Sequence, residues 1–344
     1  MNYLKKTLQF ETYVYGMYFD KNEFMIENTR FQRLEKCWSE YEQLKYGSPF
    51  NPSQRLGTDK MTGEVSWQNR HYPTGLVTVT WLDFEETLRE AIDKTVEVLR
   101  DHSMLLSFAH GHHVPFGPDM HCYEVNGANR QDVATERIMT RFGKPGIEPI
   151  TLLRSGIEPF LRHCIPLFRD TEFVNRTQIK RGIMWYNDVE CIEDPVFETH
   201  YSFLWTALEI LAGAYATETN NLKLESADRI SEIRQSFEQA LRYLDVRQPK
   251  AWVAKITDWT SILNRSRKLL NKYSLDKYAE YLSDLYGLRN QIVHGSPVEI
   301  TQADHKRRFR LCRIIEKLTL KILGFYDRKD CIRSAIMNED LLAI

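Results

Sequence analysis

The chain lacks any apolar run of the roughly eighteen residues that a membrane-spanning helix requires, which argues against a helical membrane protein. Its first residues, Met1-Asn2-Tyr3-Leu4-Lys5-Lys6, lead into polar and aromatic residues rather than an apolar core, so no signal peptide is expected. The six cysteines, Cys37, Cys122, Cys164, Cys191, Cys312 and Cys331, include no Cys-x-x-Cys pair. That argues against a zinc ribbon or a thioredoxin motif and suits reduced thiols in a cytoplasmic protein. Internal repeats and low-complexity tracts are missing as well. So is an excess of one charge: the formal net charge is −1. The balance is uneven along the chain, however. From Pro195 onwards Lys and Arg number 23 against 19 Asp and Glu, while the preceding residues carry 23 against 28. A mildly basic C-terminal half is compatible with a nucleic-acid partner without requiring one.

The residues present are those of a globular protein, 42% hydrophobic and 27% charged, and 344 residues suffice for two domains with a core in each. Thr7 to Phe19, rich in aromatic and β-branched residues, predicts a strand, as does the Val/Thr/Trp run Leu76 to Leu82. Ser48 to Tyr72, with Pro, Gly, Asn and Ser and little periodicity, predicts an extended loop. Asp83-x-x-Glu86 has the form of a variant capping box opening a helix with Leu88, Ile92, Val96 and Leu99 at helical spacing. Met120 to Val125 suits a strand. From about Ile150 the pattern is helical: Ile157 to Phe168, Thr171 to Tyr186, the strongly apolar His200 to Tyr215, Ser226 to Leu244 and Leu275 to Val293. Asp194-Pro195 punctuates this run, Pro297 stops it, and Thr301-x-x-Asp304 caps a last helix reaching Phe325. The expected fold class is α+β. Residues 1–150 form a mixed α/β domain, 151–194 a helical connector and 195–344 a helical bundle.

One segment carries candidate chemistry: Tyr286-Gly287-Leu288-Arg289-Asn290-Gln291-Ile292-Val293-His294-Gly295. Arg-x-x-x-x-His is by itself a weak signal, and it occurs once in this chain. Its setting gives it weight: a polar Asn290 after the arginine, two apolar residues before the histidine, and Gly295-Ser296-Pro297 beyond. Five residues along a straight helix separate two side chains by roughly 140° and ~7.5 Å, so the pair cannot stack as i, i+4 neighbours do. Gly295 and Pro297 end the helix, so His294 is expected at a relaxed terminus, swung toward a cleft.

With Leu288 to Gly295 and the upstream helix Leu204-Trp205-Thr206-Ala207-Leu208-Glu209-Ile210-Leu211, the chain resembles the HEPN superfamily. Within it, the likeness is to ApeA-like proteins of bacterial anti-phage defence. The resemblance spans about residues 170 to 330. It implies a cytoplasmic, metal-independent endoribonuclease needing no cofactor, active as a homodimer with Arg and His of both subunits in one cleft. Residues 1–150 are similar in size and position to the N-terminal regions of ApeA-like proteins, which implies a sensor or regulatory part answering to a phage trigger.

The chemistry of the side chains agrees with that implication. Metal-free RNA cleavage needs a base for the 2′-hydroxyl proton, an acid for the leaving 5′-oxygen and positive charge facing the phosphorane. Histidine, with an ordinary pKa near ~6.5, moves protons at neutral pH. Arginine offers phosphate oxygens a permanently charged planar fork. Asn290 would hold a phosphate or orient His294, and Glu209 would position an arginine. A two-fold partner supplies the second Arg and His.

Each assignment has a plainer counterpart. Arg289 near a helix C-terminus is favourable in any protein, Asn290 suits a helix end, and Glu209 among apolar neighbours suits a core ion pair. Lys306, Arg307, Arg308, Arg310, Arg313, Lys317 and Lys321 make the last helix basic. They either line an RNA groove, with Arg307, Arg308, Arg310 and Arg313 as contacts, or form a solvated face. His102, His110, His112, His113 and His121 gather five of ten histidines beside Cys122, yet match no zinc pattern, and Ser107 to Val114 alternates like an edge strand. No metal site is expected. The alternative of another class is a non-catalytic HEPN dimerisation and nucleotide- or RNA-binding scaffold. A toxin silenced by tyrosine modification is disfavoured because Gly295-Ser296-Pro297 offers no tyrosine.

Overall fold

The computed structural model describes residues 6–34, 56–58, 65–67, 73–138, 156–191, 196–220, 227–253, 261–294 and 299–326, except positions 16, 18, 112, 245 and 246. It contains both an antiparallel sheet and a set of packed helices, an α+β protein in that sense. Two compact units emerge. The first comprises residues 1–170, 183–196 and 323–344, and the second residues 171–182 and 197–322. Among the described residues no helix is long and apolar enough to cross a membrane.

The first unit is built on strands β1 (Lys6–Tyr15), β2 (Glu23–Ile26), β3 (Thr29–Arg33), β6 (Pro73–Phe84), β7 (Phe116–Asn126) and β8 (Asn129–Arg137), in the order β2-β3-β6-β1-β7-β8. Alternation along β1 buries Leu8, Phe10, Thr12 and Val14 on one face, and register follows from that. Phe10 stands opposite Val79 of β6 and Cys122 of β7. Helix α1 (Leu88–His110) covers this sheet with Ile92, Thr95, Leu99, Leu105 and Leu106, and Trp81 Nε1 donates to Thr95 Oγ1 at 2.8 Å. Helix α2 (Ile157–Arg169) packs through Phe160 against Phe108 and Phe325.

Several predicted boundaries move, each for a local reason. Ser48 to Tyr72, expected as an extended loop, contains a short antiparallel pair, β4 (Leu56–Thr58) with β5 (Val65–Trp67). The cap of α1 is not Asp83, which sits at φ 50° near the end of β6. Thr87 is the cap: Glu90 N–H donates to its Oγ1, and Glu90 Oε2 accepts from Thr87 N–H at 2.8 Å. Nor does Ser107 to Val114 form an edge strand. Ser107 to His110 are the last turn of α1, and Gly111 at φ 68° closes it in the left-handed conformation that glycine adopts without a Cβ clash.

The second unit is helical: α3 (Thr171–Thr177), the first residues of α4 (Ile179–Cys191), α5 (Phe197–Glu218), α6 (Ala227–Tyr243), α7 (Pro249–Val253), α8 (Ile262–Lys272), α9 (Asp276–Ala279), α10 (Leu282–Val293) and α11 (Gln302–Ile322). The remainder of α4, from Ile183, counts with the first unit. One helix was predicted over Thr171 to Tyr186, but Gln178 at φ 52° divides it. Leu275 to Val293 likewise becomes α9 and α10. Asp194-Pro195 and the Gly295 to Pro297 stop lie outside the described residues. Helix α5 is central, burying Tyr201, Leu204, Trp205, Ala207, Leu208, Leu211 and Ala212 against α8, α10 and α11. Tyr201 Oη donates to Leu285 O at 2.8 Å, fastening α5 to α10. Gly182 lets α4 approach α5 closely, since a Cβ there would lie 2.7 Å from Leu211 Cδ2. Of the apolar stripe on α6, Ile230 is buried while Ile233 and Phe237 are exposed. The cap of α11 is as the sequence predicts: Asp304 Oδ2 accepts from Thr301 N–H at 2.9 Å and from its hydroxyl at 2.6 Å.

Candidate functional site

Helix α10 buries Leu282, Leu285 and Leu288, one stripe at helical spacing, and this fixes where its polar residues stand. Arg289 follows the stripe directly. Its side chain is 25% exposed and reaches across to α5, where Nη2 donates to Glu209 Oε1 at 3.2 Å. Its Nη1 donates to Asn290 Oδ1 at 3.4 Å, and its guanidinium lies 5.9 Å from the centre of the Tyr286 ring. Tyr286 meets Trp205 of α5 edge to face at 5.8 Å. Glu209, Arg289 and Asn290 are therefore brought together by two helices whose relevant residues stand 80 positions apart in the chain.

His294 is the C-terminal cap of α10. Its backbone departs from helical geometry, φ −85° and ψ 6°, while its N–H still donates to Asn290 O at 3.0 Å. The side chain is exposed. Asn290 thus has two attachments: its side chain accepts from Arg289 and its backbone carbonyl accepts from His294. No hydrogen bond joins the side chains of Arg289 and His294 directly among the described residues. The cap conformation frees the imidazole from the side-chain direction that a continuing helix would impose.

Beside this group an open cleft of about 510 Å³ has Glu209 on its wall, with Arg176, Gln178, Arg181, Gly213 and Glu218. Arg176 pairs with Glu218 at 2.9 Å, and Arg181 Nη1 donates to Gln178 Oε1 at 3.3 Å. These two arginines belong to no motif, and only the fold of α3 and α4 toward α5 places them near Glu209.

The basic last helix is organised differently from its sequence. Arg307 donates to both oxygens of Asp284, at 2.9 and 2.7 Å, and to Asp304 at 2.8 Å, which raises its pKa further above the ordinary value. Burial pushes Asp304 up, but hydrogen bonds from Thr301 and Arg307 outweigh it and hold the carboxyl below its usual range. Arg308 Nη1 lies 2.8 Å from His200 Nδ1, and Arg310 stands 4.9 Å over the Tyr281 ring. Arg313 is buried and bonded to Glu316; Lys317 is buried and bonded to the Tyr278 hydroxyl. An unbroken solvent-facing basic row over these residues is therefore corrected. The stretch from Arg313 to Lys317 turns its charges into the unit, where Glu316 and Tyr278 receive them.

The histidines of the first unit are equally dispersed. His102 is wholly buried, with Nδ1 2.7 Å from Val98 O, and burial lowers its pKa to about 4. His110 is buried in the last turn of α1, and His121 on β7 lies 3.2 Å from Thr135 Oγ1. His112 lies outside the described residues. Burial pushes the Cys122 thiol up to about 11. Among the described residues no three His, Cys, Asp or Glu side chains gather as a metal site would require.

Comparison with protein-family models, with characterised proteins and with solved structures finds no match.

Proposed function

We propose that the second unit is a metal-independent endoribonuclease of the HEPN kind, working as a homodimer on RNA. The observation that carries this reading is the connected group at the end of α10. Glu209 holds Arg289, Arg289 bonds Asn290, and Asn290 bonds the backbone of an exposed His294. A permanent cation and a proton carrier at one exposed helix end are what cleavage through the 2′-hydroxyl needs.

In the proposed reaction one histidine removes the 2′-hydroxyl proton as that oxygen attacks phosphorus. The P–O5′ bond breaks, and the leaving oxygen takes a proton from the second histidine. The products are a 2′,3′-cyclic phosphate and a 5′-hydroxyl. Arg289 binds the non-bridging oxygens as their charge develops; Asn290 contacts the phosphate; Glu209 positions Arg289 without touching substrate. Two-fold pairing provides both histidines, since one chain offers one at this site. A toxin or effector role in anti-phage defence rests on the resemblance of Leu204 to Leu211 and Leu288 to Gly295 to HEPN proteins.

One observation favours the scaffold alternative. The Glu209–Arg289 pair also suffices as a structural tie between α5 and α10, as Arg307 is between α10 and α11. The experiment that separates the two readings compares wild type with His294→Ala on end-labelled RNA in excess EDTA, with product ends mapped. Cyclic phosphate ends from wild type alone support the nuclease. Equal cleavage by both removes His294 from the mechanism, and a folded dimer that cuts no RNA leaves the scaffold.

A further inference from the structure

Helix α5 turns one stripe away from the core, with Glu209, Gly213 and Thr217 on it at intervals of one turn. All three line the open cleft of about 510 Å³ that Arg176 and Arg181 also line. Gly213 lies in the interior of a 22-residue helix. Glycine is the poorest helix former after proline, and it persists where a side chain would collide or where another group must come close. Collision does not account for Gly213. A Cβ there would meet only Arg265 Nη1, at 3.9 Å, which is an ordinary contact. What the missing side chain provides is access to the wall of the cleft.

Arg265, on α8, is a second and independent observation. Its side chain is half-buried, its Nε is buried without a partner, and its Nη1 stands beside Gly213. Among the described residues no carboxylate pairs with it, an unfavourable setting for a cation partly removed from water. The carboxylates of the cleft are already matched. Glu209 holds Arg289 at 3.2 Å, and Glu218 holds Arg176 at 2.9 Å. Arg181 is exposed and has only the uncharged Gln178 Oε1, at 3.3 Å. Two guanidinium groups, of Arg181 and Arg265, therefore stand beside this stripe of α5 without a counter-charge among the described residues.

From the open glycine and the two uncompensated cations, we infer that this cleft carries the RNA backbone next to the scissile phosphate, with Arg181 and Arg265 as its phosphate contacts. The inference rests on the ribonuclease reading of the second unit, which puts Arg289, bonded to Glu209, at the scissile phosphate. Gly213 lies one turn, ~6 Å along α5, from Glu209, so the cleft begins where the cleavage group ends. A permanently charged planar fork suits phosphate oxygens. No aromatic side chain lines the cleft among the described residues, so it offers no platform for stacking a base. Binding there is to backbone charge and is independent of sequence.

Binding is measured by fluorescence anisotropy of labelled single-stranded RNA in EDTA over a range of salt, using the full chain with His294→Ala so that the strand stays whole. Arg181→Ala and Arg265→Ala should each weaken binding about fivefold and lower the slope of log affinity against log salt by about 0.7, the value for one phosphate of a single strand. Because Arg265 is half-buried, Gly213→Glu provides a variant with room for its Cβ. It fills the cleft and gives Arg265 a carboxylate, and should weaken binding at least as much; Gly213→Ala should stay within about twofold. Arg242→Ala, on α6 and paired with Glu238, should leave the slope unchanged. With His294 intact, Arg265→Ala should raise KM for cleavage and leave kcat near wild type. The inference is overturned if the chain binds no RNA, if Arg181→Ala and Gly213→Glu keep wild-type affinity and slope, or if Arg242→Ala lowers the slope equally. A chain that cuts RNA with the slope unmoved by these variants keeps the nuclease and loses the groove. One that binds RNA through these residues without cutting it keeps the groove and loses the nuclease.

Discussion

Arg289 and Arg307 are close in sequence, lie on helices that pack together, and are similarly exposed, 25% and 32%. Their surroundings differ. Arg307 makes three hydrogen bonds of 2.7 to 2.9 Å to two carboxylates, so its single charge is more than balanced and its position is fixed from two helices. Arg289 has one carboxylate at 3.2 Å and an uncharged amide at 3.4 Å. Exposure does not distinguish them, but partner count and charge do. A clamped arginine ties helices; under the proposed function the loosely held one keeps donors for a phosphate. The histidines show the same contrast. His102 is sealed among apolar neighbours with its pKa lowered to about 4, and His294 ends a helix in solvent.

The largest expected effect breaks the comparison at its functional arm. Arg289→Ala and His294→Ala should each lower RNA cleavage by roughly 10²–10⁴-fold in the EDTA assay, with melting shifted by only a degree or two. Comparable loss on Arg307→Ala would show that the two arginines are not distinct in role. Next comes the buried histidine. Its folded pKa is below the unfolded value, so the unfolded chain binds more protons between about pH 6.5 and 4. Stability is whole above that window and falls as pH drops through it, by up to about 3 kcal/mol. Denaturant titrations at pH 7 and pH 4.5 should show the loss, and His102→Phe should flatten it. A slope unchanged in His102→Phe would assign the pH dependence elsewhere.

Arg307→Ala should cost on the order of 1–2 kcal/mol, visible as a melting shift of a few degrees, because Asp304 is left partly buried and without its cation. Cleavage at a temperature where the variant stays folded should remain near wild type. The smallest effect belongs to Glu209→Gln, which keeps a hydrogen-bond acceptor near Arg289 while removing the charge. Stability should change by less than about 1 kcal/mol, with a modest loss of kcat and little change in RNA KM. A kcat loss matching His294→Ala would mean that Glu209 takes part in the chemistry itself.

Features set by short-range chemistry were legible before the structure. The Thr301–Asp304 cap, the alternation in β1 and the apolar run in α5 could each be read from a few neighbouring residues. Errors arose where two local signals competed. Asp83 and Thr87 each precede a glutamate by three residues, and β6 runs far enough to leave only Thr87 at the helix start. Gln178 divides two helices with neither proline nor glycine to announce the break. In the candidate site, Glu209 was placed near an arginine by motif and stands against Arg289 in the fold. Arg176 and Arg181 are not legible in the sequence, since an isolated arginine carries no record of which helix will face it. The basic stretch of α11 misled for a related reason. Composition counts charges, whereas Glu316 and Tyr278 decide which of them reach solvent.

The close passage of α4 over α5 has an evolutionary consequence. Glycine in a helix costs roughly 1 kcal/mol relative to alanine, so drift toward alanine at residue 182 should be favoured by propensity alone. Leu211 opposes it, since its Cδ2 at 2.7 Å and Cγ at 3.0 Å from where the new carbon would sit would have to shift. The order of mutation is therefore biased: position 182 grows at least cost once position 211 has become smaller. Lineages descending from this chain should carry Gly with Leu, or a larger residue with a smaller one, and should rarely pass through both large at once.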